Sequence, residues 1–205
     1  MLKWIAPVFL MVCGQILGQD TSNIKVLAFA GSTRTDSYNK KLVREAADIA
    51  SAMGATVTII DLRDYPMPFY DGDLEDEEGM PENAKKFRNM LMENQAFIIA
   101  SPQYNASVTA VLKNAIDWAS RGEAGGASKV AFSGKKFAIM SCSPGAKGGA
   151  RGLIHLQTIL EDVGGVIMSK KVSVPIADKA FDPQGHLISD ATKQQLVEEI
   201  QELLQ

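Results

Sequence analysis

The sequence predicts a single α/β domain built on a doubly wound, five-stranded parallel sheet with helices on both faces, and three observations predict it. Short apolar runs alternate five times with longer stretches of helical periodicity. The first apolar run ends in a glycine and is followed by a polar segment, Gly31 to Asn39 (GSTRTDSYN), that leads straight into a helical pattern. The segments after the first, third and fourth runs hold most of the hydroxyl, amide and glycine residues, and in such a sheet all three open beyond the carboxyl ends of the strands.

Ile24 to Ala30 (IKVLAFA) is apolar nearly throughout, as a strand buried on both faces requires. Leu42, Val43, Ala46, Ala47, Ile49 and Ala50 then recur at helical spacing until Met53-Gly54 stops them. Thr56 to Leu62 reads as the second strand. Arg63 to Gly79 is a polar excursion in which Pro66, Pro68 and Gly72 break regular structure, and its acidic run Glu75 to Glu78 reads as a solvated loop. Helical periodicity resumes over Glu82 to Glu93, and Ala96 to Ala100 is the third strand. A helix over Thr109 to Arg121 precedes a flexible, exposed connection from Gly122 to Gly134. Lys136 to Ser141 is the fourth strand, Ala150 to Val163 a helix, Val166 to Val174 the fifth strand, and Ser189-Asp190 caps a last helix through Leu203. Right-handed crossovers through these units favour the flavodoxin-like strand order 2-1-3-4-5.

Bulk properties narrow the function. A chain of 205 residues with 46% hydrophobic content suits one well-buried domain. A net charge of −3, with its basic residues scattered, gives no attraction for nucleic acid. Cys13 and Cys142 have neither metal-site nor dithiol spacing, so no structural disulfide is expected. Residues 1–22 stand apart from the domain at 23–205: Lys3 precedes an apolar stretch, Trp4 to Val12, that is too short for the roughly 20 residues of a membrane span. This is leader-like composition, with cleavage sites after Gly14 or Gly18 and a lipoprotein signal at Cys13 opposed by Met11 and Val12. The alternative is an N-terminal extension outside the fold.

The first loop lacks both GxGxxG and GxxxxGK, which argues against a dinucleotide or a triphosphate and leaves a phosphate monoester. Ser32, Ser37 and Asn39 can donate hydrogen bonds to it, Arg34 can donate two, and the helix that follows favours the dianion. Asp36 opposes the trend and is expected to face water. The alternative is an ordinary polar cap with a solvated arginine. After the third strand, Pro102-Gln103-Tyr104-Asn105 offers a rigid backbone and a ring that suit a flat heterocycle; a type I turn with a half-buried tyrosine is the competing reading. In the loop Ser143 to Gly149, Gly145, Gly148 and Gly149 let the backbone approach a ligand closely, although a plain flexible loop has the same composition.

Together these motifs resemble the NADPH-dependent FMN reductases of the chromate and quinone reductase type. The resemblance covers residues 24 to 205. It is carried by GSTRTDSYN, by LRDYPMPFYDGD (Leu62 to Asp73), by SPQYN with VLKNAIDWASR (Val111 to Arg121), by Ser143 to Arg151 and by Phe181-Asp182-Pro183-Gln184-Gly185. It implies a flavodoxin-like fold with FMN as cofactor and NAD(P)H as co-substrate. The FMN phosphate would lie on Ser32, Arg34, Ser37 and Asn39. The isoalloxazine ring and ribityl chain would lie on Pro102, Gln103, Tyr104 and Asn105, and Ser143, Gly145, Gly148 and Gly149 would close the other side. In this sequence Gln103 stands where the family commonly has a glutamate, and the loop from Ser143 to Gly148 also departs from the family pattern.

Hydride transfer to a flavin needs no side-chain acid or base, so no catalytic residue is named. Backbone N–H groups of the glycine loop would stabilise the charge of the reduced ring, and a quinone, free flavin or other small acceptor would then use the same face in a ping-pong cycle. The alternative is a flavodoxin-like FMN electron carrier, which the modest charge disfavours; a non-catalytic binder of another phosphate ester is a second alternative. His155, within a helix, and His186, in a polar turn, are read as structural or solvated, and Cys142 as a packing residue. Asp117-Trp118 is the expected subunit contact, because the resemblance also implies a homodimer or homotetramer near the flavin site. The need for NAD(P)H places the protein in the cytoplasm, with export through the leader-like segment as the alternative.

Overall fold

The computed structural model describes residues 24–205, so the leader-like segment and Cys13 lie outside the described residues. Strand β1 (Lys25–Ala30) lies at the centre of the parallel sheet, between β2 (Thr56–Asp61) and β3 (Ala96–Ala100). Next come β4 (Lys136–Cys142) and, at the far edge, β5 (Val166–Ile167) and β6 (Ser173–Val174), both paired to β4. The order is 2-1-3-4-5, as the crossover rules require.

Alternation along the buried strands divides the core in two. Val26 and Ala28 of β1, Ile98 of β3 and Ala138 and Met140 of β4 face helices α1 (Tyr38–Ala52) and α6 (Asp190–Leu203). Leu27, Phe29, Phe97, Ile99, Phe137 and Ile139 face α3 (Glu82–Glu93), α4 (Ala110–Ala119) and α5 (Ala150–Asp162). Side-chain size differs between the two faces. Alanines at 28, 46, 47, 50, 96 and 138 make the first thin, so α1 packs close to the sheet, whereas the second holds stacked rings, Phe97 on Phe137 at 4.6 Å.

Four expectations need correction. The fifth strand does not run unbroken from Val166 to Val174. The polar triplet Ser169-Lys170-Lys171 leaves the sheet and is held by α6. Glu202 accepts the N–H groups of Ser169 (2.7 Å) and Lys170 (3.2 Å), and Glu199 accepts that of Val172 (3.2 Å). Burial raises the Glu199 carboxyl to about 8, against the opposing backbone hydrogen bonds from Val172 and Ile139.

The excursion after β2 is not irregular throughout. Asp71 caps a helix, α2 (Gly72–Glu78), by accepting the N–H of Asp73. Nor is its acidic run all solvated, because Glu75 is buried. Its two oxygens accept from Arg121 Nε at 3.0 Å, and one also accepts from the Tyr70 hydroxyl at 3.0 Å. The guanidinium holds the Glu75 carboxyl below its ordinary range against the opposing effect of burial, and the Tyr70 hydrogen bond adds to the lowering.

The connection from Gly122 to Gly134 is exposed only in part, since Ala131 and Phe132 fill the core beside Phe137. Among the described residues no helix is long and apolar enough to cross a membrane.

Candidate functional site

All three loops singled out in the sequence meet at the carboxyl edge of the sheet, and side chains and backbone tie them to one another. Gly31 opens the first loop by donating its N–H to the Ala100 carbonyl at 2.9 Å, while its own carbonyl accepts from Thr109 Oγ1 at 2.7 Å. Thr109 also caps α4 by accepting the N–H of Leu112. A Cβ on Gly31 would sit 2.9 Å from a Leu112 methyl, so only glycine lets the loop pass this close to α4. Sequence reasoning missed Thr109; its signal is a threonine directly before an apolar helical run.

Within that loop Ser32 and Ser37 are buried, while Arg34 and Asp36 are exposed. Ser32 Oγ accepts the Arg34 N–H at 3.3 Å. Ser37 is the N-cap of α1, yet its side chain makes no capping hydrogen bond, and no acidic residue stands in the first helical turn. A free hydroxyl, an acid-free helix start and an exposed guanidinium thus lie within a few residues of one another, which suits an anion. Asn39 is placed differently. Its amide donates to the Cys142 carbonyl and its carbonyl accepts the Cys142 N–H, both at 2.9 Å, so the side chain buckles α1 to the end of β4.

Tyr104-Asn105-Ala106-Ser107 forms a tight hairpin closed by two backbone hydrogen bonds, Tyr104 N–H to Ser107 (3.0 Å) and Ser107 N–H to Tyr104 (2.9 Å). Asn105 and Ala106 have φ of 50° and 64°, so the turn is the mirror-image type I′ and not type I. Pro102 is buried at its base, Gln103 is half-buried and the Tyr104 ring is exposed at its rim. Gln103 Oε1 accepts the Gly152 N–H at 3.0 Å, joining this loop to the first turn of α5.

Ser143 to Gly149 forms the third wall. Ser143 donates its N–H to the Val174 carbonyl, Gly145 is exposed, and Gly148 and Gly149 are buried with φ of 56° and 89°. A Cβ on Gly149 would collide with Ser141 Oγ at 2.0 Å. That hydroxyl is fully buried and has no hydrogen-bond partner. A backbone pressed this close to an unsatisfied polar atom is a cradle that a ligand group can complete.

Comparison with known proteins gives the class of the chain. The model for NADPH-dependent FMN reductases matches residues 24–179. The chain belongs to that family. It is an oxidoreductase that uses FMN as cofactor and NAD(P)H as co-substrate. It is 35% identical over 184 residues to an NAD(P)H-dependent FMN reductase of Pseudomonas aeruginosa, covering 89% of this chain and 95% of that one. A quinone reductase of Escherichia coli is 32% identical over 174 residues, covering 84% and 89%. Among solved structures, the flavoenzyme NAD(P)H:acceptor oxidoreductase FerB of Paracoccus denitrificans superposes with a TM-score of 0.74 at 27% identity, over 88% of this chain and 95% of that one.

The remaining residues of interest lie in other surroundings. Cys142 is buried, and burial pushes its thiol up to about 12, which suits packing and not redox chemistry. His155 is exposed on α5 beside Ser107, and His186 pairs with Glu45 at 2.6 Å, a contact that raises its imidazole above the ordinary value. Trp118 is fully buried, donates to the Pro68 carbonyl at 2.9 Å and packs edge-on against Tyr70. It therefore has no surface to offer a second subunit, and the expected contact at Asp117-Trp118 fails for the tryptophan.

Proposed function

We propose that the three tied loops form one FMN pocket, in which NAD(P)H and a small electron acceptor such as a quinone or a free flavin react in turn. The carrying observation is the meeting of an acid-free helix start and an uncapped, buried Ser37 with the unsatisfied Ser141 hydroxyl beside Gly149. Ser32, Arg34 and Ser37 grip the phosphate. Asn39 holds α1 in place for them through Cys142, which assigns its side chain a positioning role. Pro102, Gln103, Tyr104 and Asn105 support the ring, and Ser143, Gly145, Gly148 and Gly149 close the opposite wall with backbone. When bound, FMN supplies the two-electron chemistry between nicotinamide and acceptor. Backbone N–H groups ahead of α5 stabilise charge gained on reduction, and no side-chain acid or base is required.

Replacing Arg34 and Ser37 together by alanine removes one charge-assisted and one neutral hydrogen-bonding group, so FMN affinity should fall by about 100-fold or more. Fluorescence titration of the flavin-free protein measures it, and unchanged affinity sinks the pocket. Anaerobic mixing of the holoprotein with NADPH separates reductase from carrier: rapid bleaching of the flavin bands is the reductase outcome.

For the assembly, a homodimer or homotetramer is supported by Phe69, which is 76% exposed on an anchored base. Asn114 brackets it by donating to the Pro68 carbonyl and accepting the Tyr70 N–H. Light scattering of Phe69→Ser should show a smaller species; an unchanged mass removes this support. The cytoplasm is the proposed location, because reduced nicotinamide is an intracellular supply, and a cleaved N-terminus on the native protein would overturn it.

A further inference from the structure

Helix α5 begins in an unusual electrostatic setting. Its N-cap is Gly149, which has no side chain to cap with, and its first turn contains no acidic residue. The charged residues next to that turn in sequence are both basic, Lys147 before the cap and Arg151 within the turn. Helices ordinarily gather carboxylates here, because the first turn carries about half a positive charge on unpaired N–H groups. The two side chains that reach this helix start are neutral. Ser141 Oγ is fully buried and unpartnered against Gly149, and Gln103 Oε1 accepts the Gly152 N–H at 3.0 Å. Contact between Gln103 and Gly152 is close enough that a Cβ on Gly152 would meet the Gln103 side chain at 3.2 Å. Gly152 shares its N–H between Gln103 and the Gly149 carbonyl, also at 3.0 Å, so the glutamine supplements the helix bond and does not replace it.

We propose that Gln103 is a positioning residue that locks the loop after β3 to the first turn of α5 and, by being uncharged, leaves the positive end of that helix free to favour the electron-rich, reduced cofactor. This rests on the pocket proposed above. A carboxylate at 103 could make the same bond to Gly152, but its charge would cancel the half-charge of the helix end and oppose the negative charge that reduction adds. An apolar side chain of similar length would lose the tie and leave the field intact. The carboxamide is the one choice among these that supplies both the tie and an open field.

The test uses FMN-loaded wild type, Gln103→Glu and Gln103→Met, with two readouts besides turnover: the dissociation constant of oxidised FMN, and the midpoint potential from anaerobic spectral titration against a reference dye. In Gln103→Glu, reduced FMN should weaken about tenfold relative to oxidised FMN, the scale for like charges several Å apart in a partly hydrated site. For a two-electron couple that ratio corresponds to a midpoint about 30 mV more negative. Gln103→Met should bind both redox states several-fold more weakly and keep its midpoint near wild type. A Gln103→Glu midpoint equal to wild type overturns the proposal, as does a Gln103→Met midpoint displaced as far as that of Gln103→Glu. If the alanine replacements at Arg34 and Ser37 leave FMN affinity unchanged, the pocket itself is misplaced and this inference falls with it. A midpoint unmoved at 103 beside a normal loss of affinity at 34 and 37 sinks the inference alone.

Discussion

Asn39→Ala should destabilise the flavin-free protein by about 3 kcal/mol. The side chain makes two hydrogen bonds of 2.9 Å to the backbone of a single residue, Cys142, which is itself buried at the end of β4. Truncation leaves a buried N–H and a buried C=O without partners, and each orphaned group costs about 1–3 kcal/mol, less whatever water can recover. For a domain of this size about 3 kcal/mol lowers Tm by roughly 6–12 °C. Urea unfolding without FMN is the right assay, because saturating ligand would add its own binding energy to the native state. Asn39→Asp sharpens the test. An ionised aspartate can still accept the Cys142 N–H but cannot donate to the carbonyl, so folding favours its protonated form and raises its pKa above the unfolded value. A group so raised contributes stability that is present below the unfolded pKa and lost as pH rises through the folded one. The aspartate variant should therefore lie nearer to wild type at pH 4 than at pH 8. A cost below about 1 kcal/mol for alanine, or a pH-independent aspartate deficit, would refute the buckle.

Other sites make further predictions. Arg121→Leu leaves the buried Glu75 without its guanidinium and should cost about 3 kcal/mol, as breaking a buried pair does; a double-mutant cycle with Glu75→Gln should recover much of it, and additive losses would deny the coupling. Because the folded Glu75 carboxyl is depressed, its contribution is present above the unfolded pKa and lost as pH falls through the folded value, so Glu75→Gln should flatten the acid limb of the stability curve. Glu199 has the opposite sign. Raised from 4.5 to about 8, it is held neutral at pH 7 at a cost of about 3 kcal/mol relative to its unfolded state, and Glu199→Gln should remove the loss of stability between pH 5 and 8; a variant with the wild-type slope contradicts the assignment. On a Cys13→Ser background, Cys142 should resist thiol reagents at pH 8 until urea unfolds the chain, and rapid labelling of the native protein would show that the buried thiol is accessible.

What could be read from the sequence divides along a physical line. Apolar periodicity reports burial, so β1, β3, β4 and the helices on both faces appear where their hydrophobic residues stand. Composition misleads where a polar residue is buried by a partner distant in the chain. Glu75 sits in an acidic run, yet it is paired with Arg121, 46 positions away, and no local pattern announces that. Val166 to Val174 has enough β-branched residues for one strand. It is split because Glu199 and Glu202 of α6 supply acceptors for the N–H groups that leave the ladder. The candidate site was legible as three loops of special composition. Their mutual ties were not, because nothing local to Asn39, Gln103 or Thr109 names the distant backbone group that each one holds.

Those ties determine how the site can work. Thr109 holds the first loop to the start of α4, Asn39 holds the start of α1 to the end of β4, and Gln103 holds the loop after β3 to α5. Each clamp ties a helix start to a loop or a strand end, and each ends on backbone, so the three lie in series across the carboxyl edge of the sheet. A pocket clamped in this way presents its backbone N–H groups in fixed directions before any ligand arrives, which reduces the ordering cost of binding and lets fixed dipoles act on charge developed during reduction. The same arrangement leaves Arg34 and the Tyr104 ring exposed and unclamped at the rim. In the proposed pocket, affinity for the phosphate and coverage of the ring would adjust through these two side chains, while the clamped backbone would set the field around the ring. Loosening one clamp should therefore weaken FMN in both redox states alike, as expected for Gln103→Met, because the ordering cost it restores does not depend on the charge of the ring.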